Sequence, residues 1–465
     1  MRIEFVRFCM PRTFVAYNPN QPFLLPPDLR EWLPPGHLAL FISDVIDSID
    51  LRVLLDSYEH SSDRGRPPFH PAMMLKLVIY GYCMGKRSSR KIERATYEEI
   101  PYRVLAANQH PDHDSIAEFR KRHLVAAKAL FVQVLLLCAK AGLVKLGHVS
   151  LDGSKIKANA SKHKAMSYGR MCETERRLQA EVEQLLAEAA AADAREVGEP
   201  RVGEEVPVEL RRREERLAKI REAKAALEAE ARERALAEQR EREAAERTSG
   251  RKRPGRKPHD GGDASGAKPD AKAQRNFTDP DSRIMKDGAS KAFEQAYNSQ
   301  IVVDSHAQVI VATNVTQAAN DKQQLVPMLE QVKVNVGRLP ERASADAGYF
   351  SEAAVTTEAV KDVDLYVATE RHRHGAECEL SSPSRDEALT AKEQMRAKLR
   401  TPQGKAVYGR RKVIVEPVFG QLKEIQGFRR FLLRGHANVS GEWLIACLCH
   451  NLLKLFRAQP CPVSA

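Results

Sequence analysis

Three acidic residues stand where a carboxylate needs a reason. Asp152-Gly153 lies within the alternating run His148-Val-Ser-Leu-Asp-Gly-Ser-Lys-Ile-Lys-Ala158, and Asp346-Ala-Gly348 closes the short run Arg342–Ala345. Alternation of this kind predicts strands, and a small neighbour lets a metal ion or a phosphate approach the backbone. Taken singly, each also reads as a strand-end Asp that satisfies nearby amides, the commoner role. Glu416 lies in Lys412-Val-Ile-Val-Glu-Pro-Val-Phe-Gly-Gln-Leu-Lys423, flanked by apolar residues. A charge on such a segment needs an ion partner, a metal or another such reason. Lys423 follows Glu416 by about two helical turns, so one face carries both, while Phe419, Leu422 and Ile425 point elsewhere. Pro417 allows two geometries. It opens a helix capped by Glu416, or it kinks a helix already begun, which decides where Tyr408, Arg411 and Lys412 stand.

Other chemistry is weaker. The eight cysteines form no Cys-x-x-Cys pair. Cys447 and Cys449, beside His450, fall in an apolar helical run and read as core packing rather than metal ligands. The chain has 74 Lys+Arg against 62 Asp+Glu, a formal charge of +12. This favours polyanionic partners without separating DNA from RNA or anionic lipid. No run of roughly eighteen apolar residues predicts a membrane span. Met1 to Met10 lacks a signal-peptide layout, which with reduced thiols predicts a cytoplasmic protein, and Met10 is an alternative initiator.

The elements that must position these residues follow from periodicity. A Pro-studded lead-in (1–36) precedes a helical domain (37–146), with apolar residues three and four apart in Leu38–Ile49, Met73–Cys83, Ile92–Leu105 and Leu124–Leu143. Asp114, Ser115 and Glu118 form a capping-box pattern before Phe119. Basic clusters, including Arg120, Lys121 and Arg122, edge this domain and suit DNA, although solvated charges on a bundle give the same pattern. The α/β catalytic domain is discontinuous (147–165 and 276–458). It is interrupted by an Ala/Glu/Arg-rich helical hairpin (166–247), a coiled-coil or spacer element with stripes at Leu178, Val182, Leu185, Ala189 and at Leu217, Ile220, Leu227, Ala231. A basic linker (248–275), containing Lys252 and Arg253, is expected to be disordered when free. Strands are expected at Gln295–Asp304, Gln308–Val315 and Leu365–Thr369. Helices are expected after Asn320 or Asp321, after Ser351, and over Lys405–Gly427 and Val439–Phe456.

Six motifs resemble bacterial insertion-sequence transposases of the DDE class with an all-helical, InsH-like N-terminal domain. They are Phe69-His-Pro-Ala-Met-Met-Leu-Lys-Leu77, Pro111-Asp-His-Asp-Ser-Ile-Ala-Glu-Phe-Arg-Lys-Arg-His123, Leu151-Asp-Gly-Ser-Lys-Ile-Lys-Ala-Asn159, Ser344-Ala-Asp-Ala-Gly-Tyr-Phe350, Val415-Glu-Pro-Val-Phe-Gly-Gln-Leu-Lys423 and Gly427-Phe-Arg-Arg-Phe-Leu-Leu-Arg-Gly435. They span most of the chain outside the hairpin and linker. The resemblance implies a ribonuclease-H-like mixed sheet flanked by helices, with Asp152, Asp346 and Glu416 as the catalytic, metal-holding triad. It also implies DNA-gripping roles for Lys423, Arg411 and Tyr408. The six-residue gap from Glu416 to Lys423 is kept, whereas Tyr408 and Arg411 do not both fall at the family's spacing.

Such an enzyme would bind double-stranded DNA at transposon terminal inverted repeats and at the target, as a homodimer assembled on DNA. Hard oxygen donors suit Mg2+ or Mn2+, and two ions can neutralise the phosphoryl oxygens and serve both attacking and leaving oxygens. The expected division is Asp152 bridging both ions, with Asp346 and Glu416 holding one each. Two other readings remain: a catalytically inactive, transposase-derived DNA-binding protein, and a metal-dependent nuclease of the same fold.

Overall fold

The computed structural model describes residues 28–58, 68–195, 208–249, 266–287, 291–370 and 389–459. Most of the lead-in, with Met1 and Met10, and the basic pair Lys252 and Arg253 lie outside these residues. Helices come first: α1 (Leu38–Ser48), α2 (Arg52–Leu55), α3 (Pro71–Cys83), α4 (Ser89–Glu98), α5 (Ile100–Leu105), α6 (His113–Arg122) and α7 (Ala127–Lys140). The run expected over Ile92–Leu105 is two helices, because Glu99 is extended. Pro101 has no N–H to continue a ladder and instead occupies the first turn of α5. The start of α6 also differs from expectation. Asp112 is its cap, accepting the Ser115 N–H at 2.7 Å, while Glu118 turns to Arg122 at 3.5 Å.

β1 (Val149–Lys157) and β2 (Ala165–Ser167) lead into α8 (Tyr168–Arg195) and α9 (Val208–Ser249), an antiparallel hairpin. Its apolar seam joins Met171 and Leu178 to Leu217, Ile220, Ala223 and Leu227. Val182 and Leu185 are only half-buried, so the expected stripe ends early. Lys224, which interrupts the second stripe, bonds Glu175 at 2.9 Å. The expected linker is shorter than 248–275, because α9 runs to Ser249 and β3 (Gln274–Asn276) pairs with β2 beneath the hairpin.

The chain then returns through β4 (Arg283–Lys286), β5 (Phe293–Asp304), β6 (Ile310–Thr316), α10 (Leu325–Val336), β7 (Arg342–Ala345), α11 (Glu352–Thr356) and β8 (Asp364–Val367). It ends in α12 (Ala391–Arg400), α13 (Pro402–Gly420), a π turn (Gln421–Ile425) and α14 (His436–Ala458). In the main sheet β4 and β6 share one edge of β5, followed by β1, β7 and β8. β1–β5 and β5–β6 are antiparallel, whereas β1–β7 and β7–β8 are parallel. Three antiparallel strands continued by two parallel ones make the ribonuclease-H-like mixed sheet.

One core runs from α1 and α3 through α7 and α14 to this sheet. Cys447, Cys449 and His450 on α14 are wholly buried within it, as core packing requires. Glu442, also on α14 and fully buried, accepts the Leu432 and Leu433 N–H groups at 3.0 Å each and faces Arg87 at 3.3 Å. Arg87 in turn donates to the Gly427 and Arg430 carbonyls, at 2.7 and 3.0 Å, and covers the Phe428 ring. A residue of the helical region thereby fixes the Gly427–Arg434 loop. Among the described residues no single helix is long and apolar enough to cross a membrane.

Candidate active site

Parallel pairing sets Val149 beside Ala343 and Ser150 beside Ser344. Two residues further along each chain stand Asp152 and Asp346, so the pairing brings both acids to one level of the sheet. Asp152 is on the strand itself; Asp346 begins the turn after β7 and accepts the Gly348 N–H at 2.9 Å. Asp152 accepts the Gly153 N–H at 2.9 Å, which is also the amide-satisfying role the sequence allowed. Burial raises the Asp152 carboxyl to about 6. The Arg411 guanidinium opposes that shift, while the charges of Asp346 and Asp321 add to it. Arg411 approaches Asp152 at 3.5 Å, and both side chains are largely covered.

Asp321 is a carboxylate that sequence reasoning assigned only to helix capping. Helix α10 in fact begins at Leu325, after Gln324. Asp321 accepts from the Asn298 and Gln300 amides, at 2.7 and 2.6 Å, and lies 3.8 Å from Lys155. Gly153 and Gly348 make room for it: a Cβ on Gly153 would stand 3.0 Å from Asp321 Oδ1 and 2.3 Å from Gln300 Nε2. A Cβ on Gly348 would stand 3.0 Å from Asp346 Oδ1 and 3.2 Å from Asp321 Oδ2. Tyr349, fully buried, bonds the other end of the Gln300 amide and donates its N–H to the Asp346 carbonyl. The paired Asn298 and Gln300, two apart on β5 and facing Gly153, are the only sequence signal that could have found this acid.

The helix α13 passes over the face carrying Asp152 and Ser154. Pro417 lies inside it, so the second of the two geometries holds. The carbonyl that Pro417 cannot bond, Val413 O, accepts from the Gln308 side chain at 3.0 Å. Tyr408, Arg411, Glu416 and Lys423 consequently extend from one continuous helical path. Tyr408 is half-buried; burial raises its phenol, and the nearby Asp346 and Asp152 charges act in the same direction. Arg411 thus reaches Asp152 despite the departure from the expected spacing, and the Tyr408 ring lies beside it, its centroid 5.9 Å from the guanidinium.

Lys423 donates to Ser154 Oγ at 2.6 Å, and burial lowers its pKa. An ideal α-helix would set Glu416 within about 20° of Lys423, but Lys423 lies in the π turn, and it is half-buried against Ser154. The Glu416 side chain is exposed. Among the described residues no three carboxylate, imidazole or thiol groups yet stand close enough to share one ion. The structure thus brings Asp152 and Asp346 together and leaves Glu416, expected as the third acid, exposed outside that pair. Ile425, expected to pack, is exposed, while Leu422 within the π turn and Gln426 just after it are fully buried.

Beside Lys423 a groove of about 360 Å3 is lined by Lys155, Lys157, Arg429 and Arg430, with Asp287 and Glu294. The basic residues expected on α6 divide. Lys121 and Arg122 are exposed, whereas Arg120 is buried and donates to the Arg87 carbonyl at 2.8 Å. It supports the helical region from inside, so it offers no charge to a ligand.

Two family models match the chain: a transposase domain of the DUF772 type over residues 27–122, and a transposase DDE domain over residues 247–452. The second contains Asp346 and Glu416 but begins after β1, so Asp152 enters the site through strand pairing alone. No curated protein and no solved structure matches the chain.

Proposed function

Because the chain belongs to the insertion-sequence DDE transposases, we propose that it cuts DNA at the ends of its element and joins the freed ends to target DNA. In this reading Asp152, Asp346 and Glu416 are the catalytic carboxylates. The observation that carries it is the β1–β7 register, which levels Asp152 with Asp346 beneath a helix bearing Glu416. The donor set fits Mg2+ or Mn2+: it is all oxygen, and burial, only partly offset by Arg411, holds the Asp152 proton up to about 6, a cost a bound cation would relieve. Asp152 and Asp346, completed by Glu416, would hold one or two such ions. When bound, these would polarise the phosphodiester and ease deprotonation of the attacking water.

The chain's own groups bind and orient. Arg411 offsets the carboxylate charge and presents a guanidinium to a phosphoryl oxygen beside Asp152. Lys423, steered by Ser154, supplies a point charge on the same face. The Tyr408 ring beside the Arg411 guanidinium helps to hold it in place. Exposed Lys121 and Arg122, with the groove beside Lys423, add salt-sensitive affinity for double-stranded DNA. Two ends held together call for two copies of the chain on one DNA complex.

The test incubates the protein with Mg2+ or Mn2+ and labelled DNA carrying the element's ends, beside Asp346→Asn and Glu416→Gln variants. Metal-dependent nicking and joined products, lost in both variants while DNA binding persists, are expected. Cut ends without joined products would identify a nuclease. Full joining by Asp346→Asn would refute the site.

A further inference from the structure

A second cleft, of about 510 Å3, opens at the start of β1. Lys145, His148, His306, Arg342 and Arg410 line it together with Ser305, and no carboxylate does. The buried Asp304 is spent on backbone: it accepts the Lys145, Leu146 and His306 N–H groups at 3.2, 2.6 and 2.8 Å. That acid therefore shapes the two basic loops without neutralising the side chains they present. Arg342 feels Asp364, which is already bonded by Lys398. Glu341 stands on the rim, behind Gly147. Among the described residues the side chains of Lys145 and Arg410 have no hydrogen-bond or ion-pair partner. His148 is buried and bonded to Ser344 Oγ at 3.0 Å. Burial, with the Arg410 and Arg342 charges, lowers it to about 4, so both guanidiniums face one neutral ring.

Cations that outnumber the single rim carboxylate repel one another, and a polyanion relieves that cost. The position says which part of the polyanion. His148 shares a face of β1 with Asp152, four residues upstream, or about 13 Å along the strand. Arg410 is the chain neighbour of Arg411, which touches Asp152. B-DNA places one phosphate per about 3.4 Å of axis on each strand, so 13 Å is about four nucleotides.

We infer that this cleft grips the sugar-phosphate backbone of DNA about four nucleotides from the phosphate presented to Asp152 and Asp346. It rests on the transposase reading and adds to it a site that positions the strand without reading bases. Arg342 and Arg410 are the principal contacts, and Lys145 and His306 flank them.

The experiment measures binding of a labelled duplex bearing the element's end across a salt series, without metal, for wild type, Arg410→Gln and Arg342→Gln/Arg410→Gln. Arg410 is exposed and bonds nothing described, so its variant should keep the fold, checked by circular dichroism. Each lost phosphate contact should lower the log–log salt slope by about one, and the double variant should bind at least about tenfold more weakly. Phosphate ethylation about four nucleotides from the cleavage point should weaken wild type and leave the double variant unaffected. Salt-dependent wild-type binding with an unchanged slope in the double variant overturns the inference alone. So does a double variant that binds inorganic phosphate more weakly than wild type, by calorimetry, with DNA affinity intact, which marks a small-anion site. Absence of any salt-dependent DNA binding by wild type overturns the transposase reading itself.

Discussion

Replacing Gly153 with Ala tests the polar brace behind the two aspartates. The new methyl would stand 2.3 Å from Gln300 Nε2, well inside contact distance, and the amide cannot simply step aside. One end of Gln300 donates to Asp321 at 2.6 Å, and the other accepts from the buried Tyr349 hydroxyl. Moving the amide breaks both bonds; Asp321 keeps Asn298, but the buried Tyr349 hydroxyl is left unsatisfied at about 1–3 kcal/mol, and the lost Asp321 bond adds about 1.5–3 kcal/mol. Against this, Gly→Ala stiffens the unfolded chain by about 0.4–1 kcal/mol. The net expectation is a loss of about 2–4 kcal/mol, read from urea denaturation. Because Tyr349 also holds the Asp346 carbonyl, strand joining should fall further than the folded fraction does. In a Gln300→Ala background the clash is gone, so the same substitution should cost much less, a coupling that a double-mutant cycle reads directly. A Gly153→Ala variant within about 0.5 kcal/mol of wild type, at full activity, would falsify the brace.

Two further outcomes follow from buried charge. Asp152 is raised to about 6 in the fold against about 3.9 unfolded, so its ionised form opposes folding: the penalty is full above pH 6 and disappears as pH falls towards 4. Metal-free Asp152→Asn should therefore be more stable than wild type at pH 8, by on the order of 2–3 kcal/mol, with the difference closing between pH 6 and 4 in denaturation curves. Arg87→Leu removes the partner of fully buried Glu442 and should cost about 3–5 kcal/mol. It should also speed tryptic cleavage at the exposed Arg429 and Arg430, whose loop Arg87 otherwise ties down, and unchanged cleavage would show that the loop holds itself.

Residue periodicity and motif order determined much of this protein. Strand alternation around Asp152 and before Asp346, the helical start, the hairpin and the resemblance to DDE transposases are local or ordered along the chain, and each survives in the structure. What depends on distant partners was not legible. Arg120 looks like its neighbours Lys121 and Arg122, yet α6 turns it inward to the Arg87 carbonyl, because helical phase relative to the core decides which of three adjacent cations meets solvent. Asp321 reads as a cap, but two amides on β5 draw it towards the acids. Pro417 reads either as a helix start or as a kink; the answer lies about a hundred residues away, where Gln308 satisfies the carbonyl that proline strands. Asp152 itself stands far from Asp346 in sequence, across a long insertion. Only parallel pairing of β1 with β7 levels them, since strand register, unlike residue type, exists only once both strands are in the sheet.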